Sequence, residues 1–245
     1  MIPIVVVAWN HLETTTRPCL ESIFRFTDVD YRVVAVDNAS DDGTRRYLEE
    51  TAARDRRVEP VFSDKNLGWA GGTLLGLERV VADDDPICLL NSDTIVTPGW
   101  LSRLSGHLPA HPGATLVIPS ESADPEAPRP AAPGRPADMT PGTASPPAAA
   151  DLDEVLRIAA DLAVRNRGKS RPAPPSGFCL LTRKERLGLL ARYLREFDRF
   201  RSGDLSWPDF MAAHGVVCRV ALDTYVFHAR GGSGAYYVYG RSRDR

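Results

Sequence analysis

The chain reads as an α/β protein with a mostly parallel central sheet flanked by helices. Three observations predict this. Strand-like and helix-like segments alternate from residue 2 to residue 100, the signature of βαβ units. The strand segments are continuous apolar, β-branched runs, as expected of strands covered on both faces. Each run stops at a short polar cluster, where the ligand side of a parallel sheet lies.

Ile2–Ala8 is the first strand. Leu20, Ile23 and Phe24 share one helical face, which predicts a helix over Thr14–Phe26. Tyr31–Val36 is a second buried strand ending at Asp37-Asn38, and Asp42-Gly43 marks a turn. Thr44–Arg54 follows as an amphipathic helix with Tyr47 and Leu48 inward. Val58–Ser63 is a third strand, Ala70–Val81 a helix behind a glycine-rich start, and Pro86–Leu90 a fourth strand stopping at Asn91-Ser92-Asp93.

The character changes after Leu108. Pro119–Pro147 is dense in Pro, Ala and Gly; it lacks the apolar surface to offset its ordering entropy and is expected to be a mobile loop or linker. Asp151–Val164 is helical again, with Leu152, Val155, Leu156 and Ala159 at core spacing. Gly177–Leu181 reads as a strand, Arg183–Phe200 as mainly helix, and Met211–His214 as the end of a helix stopped by Gly215. Val216–Leu222 and Thr224–His228 read as two short strands.

The formal net charge of -2 shows no basic excess, which argues against a nucleic-acid partner. No run approaches the roughly 20 apolar residues of a transmembrane helix, and the N-terminal run lacks the basic flank of a leader peptide. Cys19, Cys88, Cys179 and Cys218 are far apart and form no C-x-x-C pair. They read as buried thiols of a reducing compartment. A soluble, cytoplasmic protein is expected, with a homodimer left open.

The chemistry gathers at the strand ends. Asp93, directly after an apolar strand in the D-x-D-like run Asn91-Ser92-Asp93, is either a turn cap or a hard-oxygen ligand for Mg2+ or Mn2+. Such a cation bridges the phosphates of a nucleoside diphosphate. Asp37, in VDNASDDGT, can accept the imide N–H of a uracil or thymine ring, although an Asx turn accounts for part of the motif. Asn66-Leu67-Gly68-Trp69-Ala70-Gly71-Gly72 opens a helix with glycines, which lets backbone approach a phosphate or sugar. It is neither a dinucleotide fingerprint nor a Walker loop. His228 is either a structural histidine or a metal ligand. His11, His107, His111 and His214 are read as surface or loop residues, and the basic run 165–169 as solvated charge.

In this order, Ala8-Trp9-Asn10, VDNASDDGT at 36–44, NLGWAGG at 66–72 and LLNSDT at 89–94 resemble the family 2 glycosyltransferases. The bacterial rhamnosyltransferase-like members are the most similar. The resemblance implies a GT-A fold and an inverting, metal-dependent transfer of a sugar from a nucleoside-diphosphate donor (UDP-, dTDP- or GDP-linked) to a hydroxyl of a small-molecule or glycan acceptor. It implies a nucleotide-sugar half over 1–108, an inserted loop and helix over 109–175, and an acceptor and catalytic-base half over 176–245. Ala8, Trp9, Asn10, Asp37, Asn38, Asn66, Gly68, Gly71, Asn91, Ser92 and Asp93 fall at donor positions, and Asp93 with His228 at the metal. The family's Glu-Asp pair reads Gly203-Asp204 here, making Asp204 the candidate base, with Asp209 the second candidate and Asp198 a third. A nucleotidyltransferase and a non-catalytic nucleotide-sugar-binding module are the alternatives. The first commonly has a glycine-rich loop after strand one, where this chain has Ala8-Trp9-Asn10-His11.

Overall fold

A computed structural model describes residues 1–81, 84–111, 113–121, 151–196, 210 and 213–229. Its strands are β1 (Ile2–Ala8), β2 (Tyr31–Asp37), β3 (Val58–Phe62), β4 (Ile87–Asn91), β5 (Thr94–Ile95), β6 (Leu116–Ser120), β7 (Ser170–Pro172), β8 (Cys179–Thr182), β9 (Cys218–Tyr225) and β10 (Phe227–His228). The α-helices are α1 (Arg17–Phe26), α2 (Thr44–Arg54), α3 (Gly68–Leu77), α4 (Trp100–Ala110), α5 (Leu152–Arg165) and α6 (Leu187–Arg195).

Eight strands form one sheet in the order β3-β2-β1-β4-β8-β6-β9-β7, and β10 pairs with β5 in a second, two-stranded sheet. The first four neighbours are parallel, as the apolar runs predict. β8 runs antiparallel to β4 and β6, and β7 antiparallel to β9. Side-chain alternation splits the core into two faces. Ile4, Val6, Val33 and Cys88 pack with Leu20, Ile23, Leu48 and Trp100 on one side. Val5, Val34, Val36 and Leu89 pack beside α3 and α6 on the other.

Helix α3 lies very close to the sheet. A Cβ on Gly72 would sit 2.6 Å from a Val7 methyl, and one on Gly76 would sit 2.5 Å from a Val5 methyl. These two glycines therefore serve helix–sheet packing. The four cysteines are buried and form no disulfide, and burial pushes the Cys19 thiol up to about 12.

Several expectations are corrected. The first helix begins with a π turn over Leu12–Thr16, because Asp42 Oδ2 takes the Leu12 N–H and anchors the entry. Helix α3 starts at Gly68 and ends at Leu77 rather than running to Val81. Helix α4 and strands β6 and β7 were not anticipated, and β6 runs through Pro119 to Ser120. The rest of the expected loop, 122–147, lies outside the described residues. Leu152 is 37% exposed, since α5 begins there and its inward face is Val155, Ala159 and Leu162. The two expected terminal strands are one eight-residue strand, β9, followed by the short β10. His107 is buried rather than superficial.

Candidate functional site

The polar clusters meet at one sheet edge. Ladder register sets Ala8 beside Asp37 and Val7 beside Asn91, so β2 and β4 end on either side of β1. Strand spacing puts those two ends about 10 Å apart. Asp37 is 1% exposed, and its Oδ1 accepts the Ser40 N–H at 3.1 Å.

The turns after β1 and β2 are stitched together. Asn10 N–H donates to Ser40 Oγ and Asn10 Oδ1 accepts from Asp41 N–H. Asn10, His11 and Ala39 all have positive φ, a conformation that non-glycine residues adopt at a cost. The stitching bonds hold it. Asn38 works similarly: its Oδ1 accepts from Leu67 N–H, and its Nδ2 donates to Asn66 Oδ1 and Gly68 O. Asn66 Oδ1 also takes the Gly68 N–H. Asn10, Asn38 and Asn66 thus turn their amide oxygens onto neighbouring loop segments. They shape the loops around Asp37. A Cβ on Gly71 would meet Leu67 Cβ at 2.7 Å, so this glycine keeps the first turn of α3 compact. Trp9 is partly exposed just past the end of β1, and Ser92 is buried.

Asp93 and His228 come together from distant parts of the chain. β5 pairs with β10 so that Thr94 faces His228, and Ala229 N–H donates to Asp93 O. His228 Nε2 lies 3.4 Å from Asp93 Oδ1, and Nδ1 lies 3.5 Å from Glu121 Oε2. All three side chains are largely buried, with 12% of His228, 2% of Asp93 and 9% of Glu121 exposed. The His228 ring stacks on Phe178, with centroids 4.8 Å apart. Burial opposes the imidazolium, but the facing carboxylates of Asp93 and Glu121 outweigh it and raise the His228 pKa.

These residues fit a divalent cation. Neither His228 nitrogen makes a hydrogen bond of ordinary geometry, and buried Asn91 Oδ1 has no hydrogen-bond partner. Two ligands about 2.1 Å from a shared ion sit roughly 3.0–3.4 Å apart, the separation of Asp93 Oδ1 and His228 Nε2. Among the described residues no cluster of three or more ligating side chains occurs. Mg2+ and Mn2+ commonly take one or two carboxylates and complete their shell with phosphate and water.

Glu121 and Phe178 were not recognised as site residues in the sequence. Glu121 carries no local motif; only the close of β6 brings it to His228, and Val226 N–H bonded to Ser120 O fixes it there. Asp198, Asp204 and Asp209, the candidate bases, lie outside the described residues.

Residues 4–142 match the family described as Glycosyl transferase family 2. No curated protein matches the chain. Among solved structures, GalNAc-T7 with UDP, GalNAc and Mn2+ superposes with a TM-score of 0.61 at 12% identity, covering 93% of this chain and 43% of that one. TarS of S. aureus in complex with UDP gives 0.43 at 18% identity, over 54% of this chain and 38% of that one. The Pyrobaculum calidifontis mannosyltransferase PcManGT with GDP-Man and Mn2+ gives 0.44 at 20% identity, over 50% and 36%. The chain therefore spans less than half the length of each. The GalNAc-T7 likeness bears on the fold alone, which is of the GT-A type. No helix among the described residues is long and apolar enough to cross a membrane.

Proposed function

The chain belongs to glycosyl transferase family 2, and from that premise we propose that it transfers a sugar from a nucleoside-diphosphate donor to an acceptor hydroxyl with a divalent cation. The observation that carries the reading is the meeting of Asp93 and His228 at 3.4 Å. It lies beside the strand end that also holds Asn91, across β1 from Asp37.

In this reading Asp37 accepts a hydrogen bond from the base of the nucleotide, and its own turn keeps the carboxylate oriented. Trp9, Asn10, Asn38, Asn66, Gly68 and Gly71 form the loops that border the donor, and Ala8, Asn91 and Ser92 the strand ends beneath it. Asp93 and His228 hold Mn2+ or Mg2+. When bound, that ion neutralises charge growing on the departing diphosphate. The acceptor hydroxyl attacks the anomeric carbon from the opposite face, inverting it, and passes its proton to Asp204, with Asp209 the rival base. General-base help is worth about 10²–10⁴-fold. The acceptor is a small molecule or glycan, such as a natural-product or cell-envelope intermediate, and the setting is cytoplasmic.

A thermal-shift screen of UDP-, dTDP- and GDP-sugars with Mn2+ tests this. A ligand that binds only the native state raises the melting temperature. One donor class is expected to do so, with chelator reversing the shift and turnover following when acceptor is supplied. Binding without turnover favours a non-catalytic module, and no stabilisation by any donor overturns the reading.

A further inference from the structure

We infer that Glu121 is a positioning residue for the metal-binding imidazole, fixing His228 in the tautomer that donates from Nδ1 and leaves Nε2 open beside Asp93. The inference rests on the reading of Asp93 and His228 as cation ligands. It concerns a residue to which no role has been attached so far.

A neutral imidazole carries one N–H and one lone pair, and an ionised carboxylate can only accept. His228 meets a carboxylate at each nitrogen, Asp93 at Nε2 and Glu121 at Nδ1. With the ring neutral, as binding a cation through one nitrogen requires, one of the two must face a lone pair, and that arrangement is repulsive unless a cation lies between them. The cation belongs on the Asp93 side. Asp93 follows β4 at the edge shared with Asp37, and the unpartnered Asn91 Oδ1 lies at that same strand end. Glu121 is left with the Nδ1–H.

The surroundings enforce this division. The Phe178 ring lies flat on the imidazole, 12° from parallel, and restricts its rotation. Glu121 follows directly on Ser120, whose carbonyl is tied to Val226 N–H at 3.0 Å on the partner strand side. A ligating histidine that donates its other N–H to a carboxylate has a fixed tautomer and a more basic metal-binding nitrogen. Loss of such a partner typically weakens metal binding about 10–100-fold.

Two measurements test the assignment. The first is Mn2+ titration of the whole chain followed by the electron paramagnetic resonance of free Mn2+. Glu121→Gln is expected to weaken binding about 10–100-fold, Glu121→Asp to recover part of it, and Asp93→Asn to abolish it. Melting temperatures confirm that the variants are folded. The second is the long-range nitrogen–proton NMR spectrum of His228 in metal-free wild type at alkaline pH, where the ring is neutral. The Nδ1–H tautomer is expected. If Glu121→Gln fails to fold, Glu121→Asp and the wild-type tautomer decide. Wild-type affinity in Glu121→Gln, or an Nε2–H tautomer, overturns the inference while leaving the cation site standing. Failure of the wild type to bind Mn2+ overturns both.

Discussion

His107, buried, and His228, largely buried, both face carboxylates, yet their hydrogen bonding differs sharply. His107 Nε2 meets Asp223 Oδ1 at 2.9 Å, and Asp223 also accepts from Gly168 N–H at 2.7 Å and from the Thr224 hydroxyl at 3.1 Å. That centre is closed: a buried carboxylate with a full set of donors. His228 sits between two carboxylates at 3.4 and 3.5 Å with neither nitrogen properly bonded. In the proposed reading it is the centre that takes the cation.

The closed centre lies on the strand that leads to the open one. Between Pro119 and Ser120 the β6–β9 register jumps from Ala221 to Tyr225, leaving residues 222–224 as a bulge. Asp223 lies in that bulge, and His107 and Gly168 pin it there. The bulge returns the chain to β6 just before His228, next to Glu121.

The two centres should respond differently to substitution. The largest effect on stability is expected from His107→Ala. It strands the Asp223 carboxylate in a buried place and should cost about 3–5 kcal/mol in urea unfolding, with Mn2+ binding retained at temperatures where the variant is folded. Asp93→Asn should reverse the pattern: turnover falls at least ~10²-fold, because a bound cation contributes several kcal/mol of charge stabilisation, while the melting temperature stays near that of wild type. Loss of Mn2+ binding without loss of stability in His107→Ala breaks the comparison.

Acid unfolding provides a smaller test. Burial raises the Asp223 pKa, but the hydrogen bond from His107 and the Gly168 N–H outweigh it and hold the carboxyl below its usual range. A depressed folded-state pKa contributes stability above the unfolded value, near 3.9, and that contribution is lost as pH falls through the folded value. Asp223→Asn should therefore flatten the acid limb of the stability–pH curve, by at most about 1.4 kcal/mol per pH unit for one proton. An unchanged acid limb removes Asp223 from the account. The smallest effect is expected from Phe178→Leu. Losing the stacked ring should weaken Mn2+ binding less than ~10-fold, since such stacking is worth about 0.5–1.5 kcal/mol, and the same titration measures it.

Legibility in the sequence followed how local each signal was. β1 to β4 and the turns after them were readable because apolar runs and the polar clusters ending them are contiguous. Helix α4 was missed although Trp100, Leu101, Leu104, His107 and Leu108 form its buried stripe; Gly106 and Pro109 hid that spacing. Pro119 disguised β6, since proline is rare inside strands. β9 was split because Asp223 looks like a break, and only its distant partner His107 makes it tolerable inside a strand. Asp93 and His228 were legible through family-like motifs. Glu121 was not, because the lone glutamate opens a proline- and alanine-rich stretch and gains meaning only from β9 and β10.

The central claim is that Asp93 and His228 hold a cation for a sugar-diphosphate donor. Its most direct test is Mn2+-dependent release of nucleoside diphosphate from the stabilising donor, before and after chelation, in wild type, His228→Ala and folded His107→Gln. Chelator-sensitive release in wild type and His107→Gln, lost in His228→Ala, is the predicted result. Release that survives both chelation and His228→Ala contradicts the account.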